Sequence, residues 1–122
     1  MGTRVMTENL FDATLVNATG AVSSGAINTK ETLGDACAIY LVLSGAGTHT
    51  VDITQTVSLD GVTFVEPFDV SGTLGAVDTT VTATKWTQFV PALAPYIKIT
   101  VTGTASNGVS TMAAAKLVRQ TD

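Results

Sequence analysis

The chain predicts an all-β fold, an antiparallel β-sandwich in one domain, and three observations carry that prediction. The first is the alternation in Tyr96–Thr102, where Ile97, Ile99 and Val101 interleave with Lys98, Thr100 and Thr102. A strand of this kind has one buried and one wet face. The second is Asp60-Gly61, set between the alternating run Val51–Leu59 and a return through Val62–Val65 to Pro67. Both residues tolerate positive φ, as the tight turn of a right-twisted hairpin demands. The third is rhythm: apolar runs recur at roughly eight-to-twelve-residue spacing with turn residues between them. A chain of 122 residues has the length for a single core.

Taken in order, residues 1–9 are polar, mixed in charge and aperiodic, and read as an N-terminal arm. Residues 10–122 are then the sandwich. Leu10 and Phe11 open the first strand, with Phe11, Ala13 and Leu15 as its apolar row. From Ala18 to Gly34 the chain is rich in Gly, Ser, Asn and Thr, and either two short strands or a loop fits Val22 and Ile27. Ala36–Leu43 is apolar on both faces, the pattern of a central strand covered on both sides. Ser44-Gly-Ala-Gly47 is a turn. Val51–Leu59 is a long strand, and residues 68–84 are turn-rich with an edge strand within Val77–Thr84. Trp86–Val90 precedes Pro91, and Tyr96–Thr102 follows. Ala113-Ala-Ala115 favours helix by propensity. Asn107-Gly108 just before it nevertheless makes Val109–Arg119 the second arm of a hairpin with Tyr96–Thr102. About eight strands result, a number that suits two packed sheets.

Composition excludes several function classes. Charged residues are 13% of the chain, against roughly 25% in typical soluble domains. More than one residue in six is threonine, a β-branched type suited to a half-buried pleated surface. Such a surface, with few lysines to blunt its sheet edges, expects neighbours of its own kind. The net charge is −4, and the six Lys and Arg residues are scattered. Without a basic cluster there is no phosphate-tracking surface, so no nucleic-acid partner is expected. No apolar stretch approaches transmembrane length, so no membrane partner is expected. Residues 1–9 lack the apolar core of a signal peptide, Met6 stands where a myristoylation signal carries Ser or Thr, and Asn17-Ala-Thr19 is a sequon without a secretory route. Cys37, the sole cysteine, lies in an apolar run and reads as a small core hydrophobe of a protein made in a reducing cytoplasm.

The residues of catalysis are missing. A Ser–His–Asp arrangement could only use His49 with Asp52 or Asp35, and no nucleophile elbow is present. His49 and Cys37 are too few for a zinc site. Asp60, Glu66, Asp69 and Asp78 lie in or near loops without calcium-site spacing, and Asp60 reads as a turn residue. No catalytic residue, cofactor or metal is expected. Trp86, the single tryptophan, reads first as a core anchor, then as an interface anchor, and last as a platform for a sugar ring.

Ser58-Leu-Asp-Gly-Val-Thr-Phe64, followed by Ala94-Pro-Tyr-Ile-Lys-Ile-Thr-Val101, resembles a pattern in small β-sandwich virion proteins of tailed bacteriophages and prophages. The same residues resemble discoidin-type, galactose-binding-like jelly rolls, although Phe64 stands where Trp is commoner and Pro95 where those domains carry Arg. The likeness covers residues 50–104. It implies a jelly-roll-like sandwich and a virion structural protein, of the capsid-decoration, head-fibre or head–tail type. Its partners would be its own copies and the major capsid or other virion proteins. The alternative it implies is a carbohydrate-binding module with Trp86 and Tyr96 as platforms. In the structural reading the arm lies along a neighbouring subunit and adds a strand to an open sheet edge. Val5, Met6, Leu10 and Trp86 are then the interface candidates.

Overall fold

The structure, a computed structural model, describes residues 4–16, 20–45, 50–104 and 111–121. Among these, eleven strands form: β1 (Arg4–Leu15), β2 (Ala21–Ser23), β3 (Ile27–Asn28), β4 (Leu33–Ser44), β5 (Val51–Ser58), β6 (Phe68–Asp69), β7 (Gly72–Thr73), β8 (Ala76–Val81), β9 (Lys85–Phe89), β10 (Tyr96–Gly103) and β11 (Met112–Thr121). A single 3-10 turn, Thr29–Glu31, joins β3 to β4. The first sheet runs β1-β11-β4-β9; the second runs β2-β10-β5-β8, with β3 also beside β10. The antiparallel pairs β1–β11, β2–β10, β4–β9 and β5–β8 nest inside one another. That nesting is a long hairpin rolled over on itself, an eight-stranded jelly roll with β3, β6 and β7 as additions.

The core lies between the sheets and follows from the pleat. Ile97, Ile99 and Val101 on β10 are buried, as the alternation predicts, and face Val57, Gln55 and Ile53 across the β5 ladder. Ile39, Leu41 and Leu43 on β4 and Leu117 on β11 supply the opposite wall. On β11 the inward positions Ala113 and Ala115 are small, and Phe11 sits opposite Ala115. A helix over these alanines would leave Phe11, Leu41 and Leu43 without a floor, so packing overrides propensity.

The structure corrects four expectations. Residues 4–9 are no free arm: they form the first half of β1, pairing from Arg4↔Thr121 to Asn9↔Lys116 within the same chain. Their polar character reflects a sheet rim, where one polar face is wet and the other meets Arg119. Second, β11 pairs with β1 and β4, not with β10, because the chain crosses to the other sheet after Gly103; Asn107-Gly108 lies outside the described residues. Third, Asp60-Gly61 turns the chain, with Gly61 at φ +79°, but the return arm pairs only at the Val57↔Val65 bridge. A wide loop replaces the two-residue hairpin. Fourth, the outer face of β4 is covered only in part: Ala38 is buried, whereas Ala36, Tyr40 and Val42 are exposed.

Arg119 is a buried cation that its scattered place in the sequence conceals. It projects inward from β11, 6% exposed, and its Nη1 donates to Asn28 O at 2.7 Å and Thr32 Oγ1 at 3.0 Å. Its Nη2 pairs with the Glu8 carboxylate on β1. One side chain thereby ties β1, β3 and the 3-10 turn to β11. Arg119→Ala is expected to cost about 3 kcal/mol in urea unfolding, the low end for breaking a buried pair because Glu8 can rehydrate. Glu8→Gln, which keeps an acceptor, should cost well under half as much.

Candidate functional site

Positions 36, 38, 40 and 42 of β4 point out of the sandwich, opposite to Cys37, Ile39, Leu41 and Leu43. Alternation carries the same outward face across the sheet to Val5 and Leu15 on β1, Ala114 and Val118 on β11, and Trp86 on β9. Val5 is 69% exposed, Trp86 55% and Tyr40 38%. Trp86 and Tyr40 are cross-strand partners with ring centroids 6.1 Å apart, tilted at 45°. Small Ala36 and Ala38 leave a depression of about 430 Å³ beside them, walled by Val5, Trp86 and Val118 and, on its polar side, by Gln88, Arg119 and Gln120. Asn9, Lys116, Tyr40 and Trp86 form one cross-strand row. Lys116 is the one charge that β11, β4 and β9 present on this face among the described residues.

A second apolar surface caps one end of the sandwich. Leu59 and Val65 from the loop after β5 face Leu93 from the loop before β10 across a groove, with Val62 exposed beside them; Leu59 is 86% exposed and Leu93 fully so. An open groove of about 430 Å³ runs between the two loops over Val57, Ala94 and Pro95. The loop is stiff. Asp60 Oδ1 accepts from Val62 N at 2.8 Å, Thr63 N at 3.0 Å and the Ser58 hydroxyl at 2.8 Å, while Ser58 Oγ accepts from the Asp60 and Gly61 amides. Gly61 packs on the Tyr96 ring. The second loop is held by buried Gln55, which donates to Leu74 O at 3.0 Å and accepts from Ala92 N at 3.1 Å. The Thr29 hydroxyl adds a bond to Ala94 O.

These positions redistribute the sequence candidates. Trp86 is no core anchor; it stands on the outer face. Val5 shares that face, whereas Met6 lies opposite Arg119 on the other side of β1, and Leu10 packs against the chain's own core. Tyr96 is half-buried under Gly61, with Lys30 Nζ 5.4 Å from its ring centroid. Trp86 and Tyr96 belong to different sheets, so the two cannot form one platform. Cys37 is buried, its thiol pushed up to about 11 by burial against the opposing pull of Arg119. Asp78 bridges the sheets: partial burial raises its carboxyl, but Lys85 Nζ at 2.8 Å and Thr87 Oγ1 at 2.9 Å outweigh that and hold it below the usual range. His49 and Asn17-Ala-Thr19 lie outside the described residues. Among the described residues no three His, Cys, Asp or Glu side chains converge on a metal site, and no helix is long and apolar enough to cross a membrane. The sequence reading missed the loop end; its signal was apolar residues at turn positions, Leu59, Val62 and Leu93.

Among the described residues, fold and surface together define a jelly-roll sandwich whose first sheet and loop end both leave apolar side chains uncovered. No protein-family model matches the chain, and no curated protein matches it in sequence. Solved structures match in fold. The SPBc2 prophage-derived protein YomS is 10% identical with a TM-score of 0.58, over 99% of this chain and 96% of that one. A structure of infectious bursal disease virus, Gx strain, is 16% identical with a TM-score of 0.53, over 98% of this chain and 32% of that one. The low-affinity xylan-binding module CBM86 of the gut symbiont Roseburia intestinalis is 10% identical with a TM-score of 0.51, over 100% and 97%. At these identities the likeness is one of fold.

The Asp60 loop gives a pH prediction. Hydrogen bonds from Thr63, Val62 and Ser58 lower its carboxyl from 3.8 to about 2. A depressed native value means that the ionised loop is favoured above the unfolded pKa and that this support is lost as pH falls from about 4 through about 2. An NMR titration of Asp60 should find its midpoint near 2, with the Val62 and Thr63 amides losing protection on the same curve. A midpoint near 4 would contradict the capped loop.

Proposed function

We propose that this protein is a non-enzymatic structural component of a phage particle, a capsid decoration or head-associated protein, made in the host cytoplasm and residing in the virion. The observation that carries the reading is the uncovered outer face of the first sheet. An exposed patch holding Trp86, Tyr40, Val42, Val5 and Leu15 is the composition of a binding surface. The fold shared with a prophage-derived protein over nearly the whole of both chains supports it. Faces suit this role better than edges. The edge strands β1 and β8 carry register shifts, with Thr80 at φ 52° in β8, and β2, β3 and β9 are short. Bulged and brief edges resist strand addition.

Light scattering on the purified chain, and sedimentation with undecorated shells, test the reading. Self-association or shell binding is expected, and Trp86→Ala should weaken it by about 2 kcal/mol without altering thermal unfolding. A strict monomer without affinity for any virion component would overturn it.

The exposed Trp86–Tyr40 pair and the fold shared with a xylan-binding module favour a second reading, a carbohydrate-binding module. A glycan array decides: a hit abolished by Trp86→Ala supports the sugar reading, and no hit leaves the structural one.

A further inference from the structure

Resting on the carbohydrate reading, we infer that the depression on the outer face of the first sheet binds an internal stretch of a neutral, extended glycan laid across the strands. Its units are pyranoses with equatorial hydroxyls, joined β-1,4 so that the chain stays straight. The lining is amphipathic in the way a sugar is. Trp86, Val5, Val118 and Ala38 give it apolar surface, and Gln88 and Gln120 stand on it with exposed carboxamides. Neither carboxamide bonds to another group of the chain among the described residues. Each carries a donor and an acceptor side by side, a match for two neighbouring hydroxyls of a pyranose. A protein surface closing over them would strand those groups away from water, whereas sugar hydroxyls both donate and accept. That favours a glycan over a second copy of the chain as occupant. Trp86 supplies the platform. It is 55% exposed, and the Tyr40 ring, 6.1 Å away and tilted 45°, stands against the indole without lining the depression. The electron-rich indole face takes the C–H face of a pyranose, which is flat where the hydroxyls are equatorial.

Charge sets the ligand as neutral. Lys116 on β11 and Asp12 on β1 share the outer face through Asn9, which lies opposite Lys116 and donates to Asp12 Oδ1 at 3.2 Å. The two charges cancel. Arg119 also lines the depression, but it is 6% exposed and paired with Glu8. An acidic sugar would bring its carboxylate to a surface with no net charge to receive it.

Shape agrees. The depression, about 430 Å³, lies within the roughly 300–1,000 Å³ range of small-ligand sites. Every strand of the sheet contributes to its lining: Val5 from β1, Gln120 from β11, Ala38 from β4 and Gln88 from β9. Three strand spacings of about 4.8 Å make the crossing about 14 Å long, room for about three linked pyranoses. β1 and β9 are the edge strands, so the sheet closes neither end of the crossing. A trough open at both ends holds the middle of a chain and not its tip, and straight linkages carry the chain out on either side.

NMR titration of the backbone amides and the indole N–H tests the inference. Cellohexaose and xylohexaose are the probes, with maltohexaose as a curved chain and hexagalacturonate as an acidic one. Cellohexaose or xylohexaose is expected to shift the Ala38, Trp86, Gln88 and Gln120 signals, with an affinity that high salt leaves unchanged. Affinity should climb from the monosaccharide to the trisaccharide and then level off. Trp86→Ala is expected to weaken binding at least about ten-fold, and Gln88→Ala or Gln120→Ala about two- to ten-fold each. Trp86→Phe should retain part of the affinity. All three side chains are exposed, and circular dichroism checks that the variants fold. A monosaccharide bound as tightly as the hexamers, or tighter binding of maltohexaose or hexagalacturonate, overturns the inference. So do shifts confined to another surface, or binding indifferent to all three alanine variants. Sugar binding that needs Trp86 yet lacks the length dependence, or prefers the curved or acidic chain, defeats this inference and leaves the carbohydrate reading standing. No hit in the array or the titrations removes both.

Discussion

The inner rows of β4, β5, β10 and β11 hold the rest of the molecule in place. Ile39, Leu41, Ile53, Ile97, Ile99, Val101 and Leu117 are essentially sealed from solvent between the sheets. Each fully buried aliphatic side chain of this kind contributes on the order of 1.5–3 kcal/mol. Because the pleat alternates strictly, committing these residues inward commits their neighbours outward. The wet face of the second sheet thereby receives Thr54, Thr56, Lys98, Thr100 and Thr102, and the outer face of the first receives Ala38, Tyr40, Val42 and Val118. The same constraint that builds the core therefore displays the apolar surface.

Two buried polar side chains extend that core into loops. Arg119 anchors the 3-10 turn and β1, and Gln55 holds two loops to β5. Both stand in inward positions where alternation would place an aliphatic residue. Each uses its position to satisfy backbone groups that would otherwise be stranded away from water. The loop end depends on Gln55: without it the segment before β10 loses its tie to β5 and keeps only the bonds from Thr29 to Ala94 and Pro95.

Much of this fold was legible in the sequence because its strands obey the period of two. Tyr96–Thr102 and Val51–Ser58 alternate cleanly, and the pairing of those two strands is local to one sheet. The crossing of β11 was not legible, because Asn107-Gly108 is a hairpin signal and nothing local records which sheet receives the next strand. The apolar double face of β4 was read correctly as composition and only partly so as burial, since Ala38 is buried but Tyr40 and Val42 are exposed: the pattern of a covered strand is the same whether its cover is the same chain or another. Trp86 misled for the same reason, since a lone tryptophan serves a core and an interface alike. Arg119 looked like one more scattered charge, because burial of a cation depends on Asn28, Thr32 and Glu8, all distant in sequence.

Nesting also sets the order in which the molecule can be completed. The outermost pair of the roll, β1 with β11, joins residue 4 to residue 121. At roughly 5–20 residues per second, a ribosome delivers the second of these strands on the order of ten seconds after the first. Throughout that interval Phe11 has no Ala115 beneath it and Glu8 no Arg119. The first sheet is built around a vacancy that only β11 can fill, since β11 lies between β1 and β4. Until β11 has emerged, synthesis thus leaves the nascent chain with an inner hairpin and an unfinished outer wall, and the sandwich can become one cooperative body only afterwards.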